Sequence, residues 1–159
     1  MTEHKTSGVE EHAQQLFQLL NEIGIVNQLS SNAFNRLLPD GLTVAQFSVL
    51  NNFVRLGGTR TPAGLASAFQ VTRGTMTNTL GRLSAAGLVR IEADPNDGRG
   101  KIVSITARGR RMRERCVRDS SAVLLELFGD LDRAQVEAAL PLLRTLRERF
   151  DRDRDSTEG

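Results

Sequence analysis

From Val9 to Leu38 apolar residues recur at three- and four-residue steps, at Leu16, Leu19, Leu20, Ile23, Val26, Leu29, Ala33, Phe34 and Leu37, as in an amphipathic helix. Pro39 and Gly41 end it. Such a helix, on the order of 45 Å long, carries more apolar face than a small domain covers alone and is expected to pack against a second subunit. Thr43 followed by Gln46 reads as a capping box opening a helix through Val54, stopped by Gly57 and Gly58. Thr61 before Pro62 places an N-cap and a first-turn proline on a short helix to Phe69. Thr72 caps a helix from Arg73 to Ala86, with Met76, Leu80 and Leu83 facing inward and Gly87 as its stop. These two short helices meet across Gln70 and Val71, the turn length of a helix-turn-helix.

The periodicity then changes. Leu88 to Ala93 and Ile102 to Ile105 are short β-branched runs around Asp94-Pro95-Asn96-Asp97-Gly98-Arg99-Gly100, a segment dense in turn residues, and predict a β-hairpin with a basic tip. Thr106 caps a long helix to Phe128, and Asp132 with Gln135 caps the last, whose stripe is Val136, Ala139, Leu140, Leu143, Leu146 and Phe150. Pro141 removes the bond to the Glu137 carbonyl, so a kink or break is expected near Glu137. Residues 151–159 alternate in charge and are expected to fray as a flexible tail.

Composition narrows the chemistry. With 159 residues, one globular unit is expected and little room remains for a second, catalytic domain. No run approaches the ~20 apolar residues of a membrane span, and the opening MTEHKTSGVEEH lacks the basic-then-apolar pattern of a secretory signal, so a cytoplasmic location is expected. One cysteine and two histidines, the latter within the first dozen residues, cannot form a metal cage at ordinary spacing, and no metal or cofactor is expected. No nucleophile with a base, paired carboxylates or phosphate-cradling glycine loop appears, so catalysis is not expected.

Charge is distributed unevenly. Residues 1–54 carry two basic residues against five acids, a net of −3, and residues 119–159 carry six against ten, a net of −4. Residues 55–118 carry thirteen against four, a net of +9, six of the thirteen lying between Arg108 and Arg118. A polyanion-binding surface is one reading of that block, and a solvated basic face is the other. The helix-turn-helix and hairpin within it decide for a winged helix on duplex DNA. Burying Met76, Leu80 and Leu83 leaves Arg73, Thr77 and Asn78 outward for base readout, arginine suiting guanine and asparagine adenine. Thr75 and Arg82 suit phosphates, Arg99 the adjacent minor groove with Asp97 orienting it, and Lys101 the neighbouring backbone.

On these residues the chain resembles the MarR (multiple antibiotic resistance regulator) family of winged-helix transcription factors. The resemblance is carried by TRGTMTNTLGRLSAAGL at Thr72 to Leu88, DPNDGRGKIVSIT at Asp94 to Thr106, and Arg108-Gly109. Gly98 departs from the pattern, since the family often has a second basic residue there, which implies weaker wing affinity. The implied fold is mainly α with a small β-hairpin, a winged helix-turn-helix flanked by long N- and C-terminal dimerisation helices. The corresponding segments are an N-terminal dimerisation helix (1–40), a DNA-binding lobe (41–106), C-terminal dimerisation helices (107–150) and the tail (151–159). The resemblance implies a homodimeric repressor on a pseudo-palindromic operator, released by a small, commonly aromatic effector. Phe17, Phe34, Phe47, Phe53 and Met112 are the apolar candidates to line an effector pocket, the competing reading being ordinary core.

Two alternatives stand beside this. Cys116, near Arg113, Arg115 and Arg118, is a candidate redox switch, although peroxide-sensing members of the family place their cysteine in the first helix, where this chain has none. A winged helix that binds protein instead of DNA is the other.

Overall fold

Three threonines start three helices. In a computed structural model, which describes residues 3–95 and 97–157 and the side chains of all of these except 3–7, Arg99 and 154–157, the hydroxyl oxygens of Thr61, Thr72 and Thr106 each accept from the backbone N–H three residues on. The helices so opened are α3 (Pro62–Ala68), α4 (Arg73–Ala85) and α5 (Ala107–Phe128), the first with the expected proline in its first turn. Before them come α1 (Glu3–Leu37) and α2 (Val44–Leu56), and α6 (Arg133–Thr157) follows. Asp132 caps α6 by accepting from Ala134 N–H at 3.0 Å.

The chain forms two compact units, the first ending at Val44 and the second starting at Ala45. In the first, α1 begins six residues earlier than the periodicity suggested and ends in a short 3-10 turn at Pro39–Gly41. There the Asn35 side-chain carbonyl accepts from Val44 N–H at 2.8 Å, drawing the chain back along the helix end.

In the second unit α3, α4 and the hairpin pack around Val49, Leu50, Phe53, Leu65, Leu80, Leu83, Leu88 and Val103, all at 2% exposure or less. Burial at this level contributes roughly 1.5–3 kcal/mol for each large side chain. Strand β1 (Val89–Asp94) pairs antiparallel with β2 (Asp97–Ile105), and Arg60 adds an isolated bridge to Val103. The turn-rich segment is therefore mostly strand. The register slips between Ala93 and Asp94, so that Asp94 faces Asp97 while Ala93 faces Lys101. This irregularity holds Gly98, Arg99 and Gly100 in the strand, where turn composition had suggested a loop.

Helices α3 and α4 end alike. Val71 N–H reaches the Ala66 carbonyl and Gln70 N–H the Ser67 carbonyl; Leu88 reaches Leu83 and Gly87 reaches Ser84 in the same way. Both are Schellman caps with a left-handed residue, Gly87 at φ 69° but Gln70 at φ 51°. The turn of the helix-turn-helix thus places a side chain where glycine is preferred.

Helix α6 runs unbroken through Pro141, so the break allowed for near Glu137 does not occur, and it extends to Thr157 within the segment expected to fray, whose residues 158–159 lie outside the described residues. A proline removes one hydrogen bond from a ladder of 25 residues, and its ring clash can be absorbed by bending without ending the helix.

Candidate nucleic-acid interface

The outer face of α4 is a consequence of its inner one. Met76, Leu80 and Leu83 are 3% exposed or less, the 100° step between residues turns Thr77, Asn78, Gly81 and Arg82 to solvent, and Arg73 is exposed as the first residue of the helix. Neither Arg73 nor Arg82 has an ion-pair partner among the described residues, so both guanidiniums are available to an anion. Thr77 is committed in part: its hydroxyl donates to the Arg73 carbonyl at 2.8 Å. What remains is an accepting oxygen and a methyl group, which suit a base amino group and a thymine methyl.

At the start of α4 the Thr72 hydroxyl accepts from Thr75 N–H at 3.1 Å and lies 2.8 Å from the Thr75 hydroxyl. Thr75 is thereby held in the capping network while staying exposed, beside first-turn N–H groups that favour a phosphate.

A cleft of about 590 Å³ lies between the start of α3, the outer side of α4 and the hairpin. It brings Arg73 and Thr77 together with Asp97 and Lys101, four of the residues selected from sequence, against Pro62 and Gly81. Thr75, Asn78 and Arg82 lie on α4 outside that cleft. Arg99 belongs to β2 by backbone, and its side chain lies outside the described residues.

The apolar pocket candidates divide between the two units. Phe17, in the first, is 74% exposed, whereas Phe53, in the second, is fully buried in the core. Phe34, Phe47 and Met112 are half-buried. Cys116, the redox candidate, is 1% exposed inside the second unit, which shields its thiol from an oxidant in solution. Among the described residues no cluster of three His, Cys, Asp or Glu could hold a metal, and no helix is long and apolar enough to cross a membrane.

Sequence reasoning missed a joint behind the recognition face. The Thr106 hydroxyl lies 2.8 Å from the Gly87 carbonyl and 3.1 Å from that of Leu88, while its oxygen accepts from Gly109 N–H at 3.0 Å. Gly109 is buried, and a Cβ there would run into the Leu88 carbonyl oxygen. The signal was a glycine in the first turn of a helix, a choice that costs roughly 1 kcal/mol against alanine unless close approach requires it. Also missed was the Arg113 guanidinium, which donates through Nε and Nη2 to the Asn51 side-chain oxygen at 3.0 and 2.9 Å and ties α5 to α2.

Comparison with known proteins fits this geometry. The profile described as MarR family matches residues 40–100. The multiple antibiotic resistance protein MarR of Escherichia coli is 37% identical over 95 residues, 59% of this chain; the chain spans 65% of that relative's length. The transcriptional regulator HosA, also from Escherichia coli, is 31% identical over 109 residues, 69% of this chain and 79% of its own. Among solved structures, a mutant MarR from Escherichia coli complexed with operator DNA superposes with a TM-score of 0.64 at 32% identity, covering 83% of this chain and 95% of that one. A structure describing regulation of DNA binding of Bordetella bronchiseptica BpsR by 6-hydroxynicotinic acid gives 0.64 at 28% identity, covering 81% and 98%. With the winged helix-turn-helix in place and relatives aligned across most of their length, the chain belongs to the MarR family.

Proposed function

We propose that the chain is a transcription regulator that binds duplex DNA in a sequence-specific way as a homodimer, and acts as a repressor that a small aromatic acid releases. The observation that carries the reading is the outward face of α4, on which Arg73, Thr77 and Asn78 are exposed, the first two lining the cleft shared with the hairpin. In a major groove Arg73 would bond guanine, Asn78 adenine, and Thr77 a base amino or methyl group, with Thr75, Arg82 and Lys101 on phosphates. Arg99, flanked by Asp97, is assigned to the adjacent minor groove.

Dimerisation is supported by apolar side chains that face solvent on α1 and α6, among them Leu29 at 70% and Phe150 at 57% exposure. A two-fold dimer presents two recognition helices, so the operator is a pseudo-palindrome with half-site centres about 10 bp apart. Release by a ligand is supported by likeness to BpsR, whose DNA binding is regulated by 6-hydroxynicotinic acid.

Selection of bound duplexes from a random pool tests the reading. The expected product is an inverted repeat whose affinity falls linearly in log-log form with salt, and which a panel of aromatic acids titrates off the protein. An asymmetric single half-site would contradict the dimer, and a flat salt profile would favour a winged helix that binds protein.

A further inference from the structure

The face of α5 that points away from its own core carries charge that neither the helix-turn-helix nor the hairpin accounts for. Gly109, Cys116 and Ser120 are buried and Met112 and Arg113 half-buried on one side. Helical spacing therefore gathers Arg108, Arg111, Arg115 and Arg118 on the opposite side, and all four are exposed. Arg110 projects elsewhere, on the flank it shares with Glu114.

Within the stripe Asp119 lies 3.3 Å from Arg115 and 3.7 Å from Arg118, while Arg108 and Arg111 have no ion-pair partner among the described residues. We infer that this stripe is a third nucleic-acid contact, which grips backbone phosphates of the duplex beside the groove that α4 reads. The inference rests on the DNA-binding reading above.

Three observations point to a polyanion. The uncompensated arginines sit at the N-terminal end of α5, where the helix dipole already disfavours cations, and the first turn holds no acid. Local electrostatics therefore work against this arrangement, as expected where a sequence serves a partner instead of its own stability. The stripe also begins at the reading head: Arg108 packs against the end of α4, its Cδ 3.9 Å from where a Cβ on Gly87 would stand, and Thr106 and Gly109 fasten that turn to Gly87 and Leu88. Finally, ten residues of helix advance about 15 Å, an interval that holds roughly four phosphates on one strand of B-DNA.

The test compares the salt dependence of binding for the native chain and Arg108→Gln/Arg111→Gln, on a duplex selected from a random pool and on a random duplex of the same length. Loss of two phosphate contacts per protomer, four per bound dimer, should lower the log-log slope by about 3.6 and weaken both duplexes alike, several-fold or more at physiological salt. The melting temperature should hold or rise, because cations leave the positive end of a helix; a merely structural role would lower it. Asp119→Asn should tighten binding by unmasking Arg115 and Arg118, whereas Arg110→Gln should leave the slope as it is.

An unchanged slope for the double variant overturns the inference while leaving the DNA-binding reading intact. An unchanged slope with lost retention on immobilised polyglutamate also overturns it and assigns the stripe to acidic protein segments. If the native chain binds no duplex in a salt-dependent way, the DNA-binding reading itself fails and takes the inference with it.

Discussion

Helices α4 and α6 carry apolar stripes of the same period and opposite fates. In α4, Met76, Leu80 and Leu83 are at most 3% exposed, sealed beneath the hairpin and α3. In α6, Val136, Leu140 and Leu143 remain 41–47% exposed and Phe150 57%. The contrast teaches that periodicity specifies which face of a helix is apolar but not what covers it. Where cover comes from the same chain, the stripe builds stability; where it faces solvent, as on α6, it is the surface assigned to the dimer proposed above.

The largest expected effect tests the covered stripe. Leu83→Ala should cost about 2–5 kcal/mol in chemical denaturation, independent of protein concentration, since it opens a cavity in a closed core. The same truncation at Leu143 should shift the midpoint only as far as dilution does, and a concentration-independent loss there would erase the contrast. Next, Leu140→Asp with Leu143→Asp should convert a dimer to a monomer in sedimentation with helicity retained, and weaken binding to an inverted repeat by on the order of a hundredfold. A monomeric native chain would defeat this prediction.

On the outer face of α4, Asn78→Ala should cost about 1–3 kcal/mol on a selected duplex and little on a random one; equal losses would make Asn78 a backbone contact. The smallest effect lies in the turn before α4. Gln70→Gly should raise stability by about 1 kcal/mol, because a left-handed backbone at φ 51° strains a side chain but not glycine. A drop in melting temperature would mean that the Gln70 side chain contributes more than that strain costs.

What the sequence revealed follows the same division between near and far. The caps at Thr61, Thr72 and Thr106 were legible because a hydroxyl before an apolar-periodic run needs only its next three residues to act. The outward set Arg73, Thr77 and Asn78 was legible because burying three residues of a helix determines where the others point. The extent of the hairpin was not, because Asp and Gly advertise turns whether they occupy one or sit in an irregular strand. Pro141 does not break α6, since one missing donor is a small part of a long ladder. The Arg60–Val103 bridge and the Arg113–Asn51 pair, 62 residues apart, were beyond reach, because no local pattern encodes a partner at that separation. Of the four residues lining the cleft and selected in advance, chemistry picked each one, but only the fold placed Asp97 and Lys101 opposite Arg73 and Thr77.

One small junction determines how force travels. With a single threonine touching the last carbonyls of the reading head and the first amide turn of the stalk, and a glycine wedged where any methyl would collide, the neck between them has no slack. A tilt of α5, a rod about 33 Å long, is therefore expected to carry the Gly87–Leu88 end of the reading head with it.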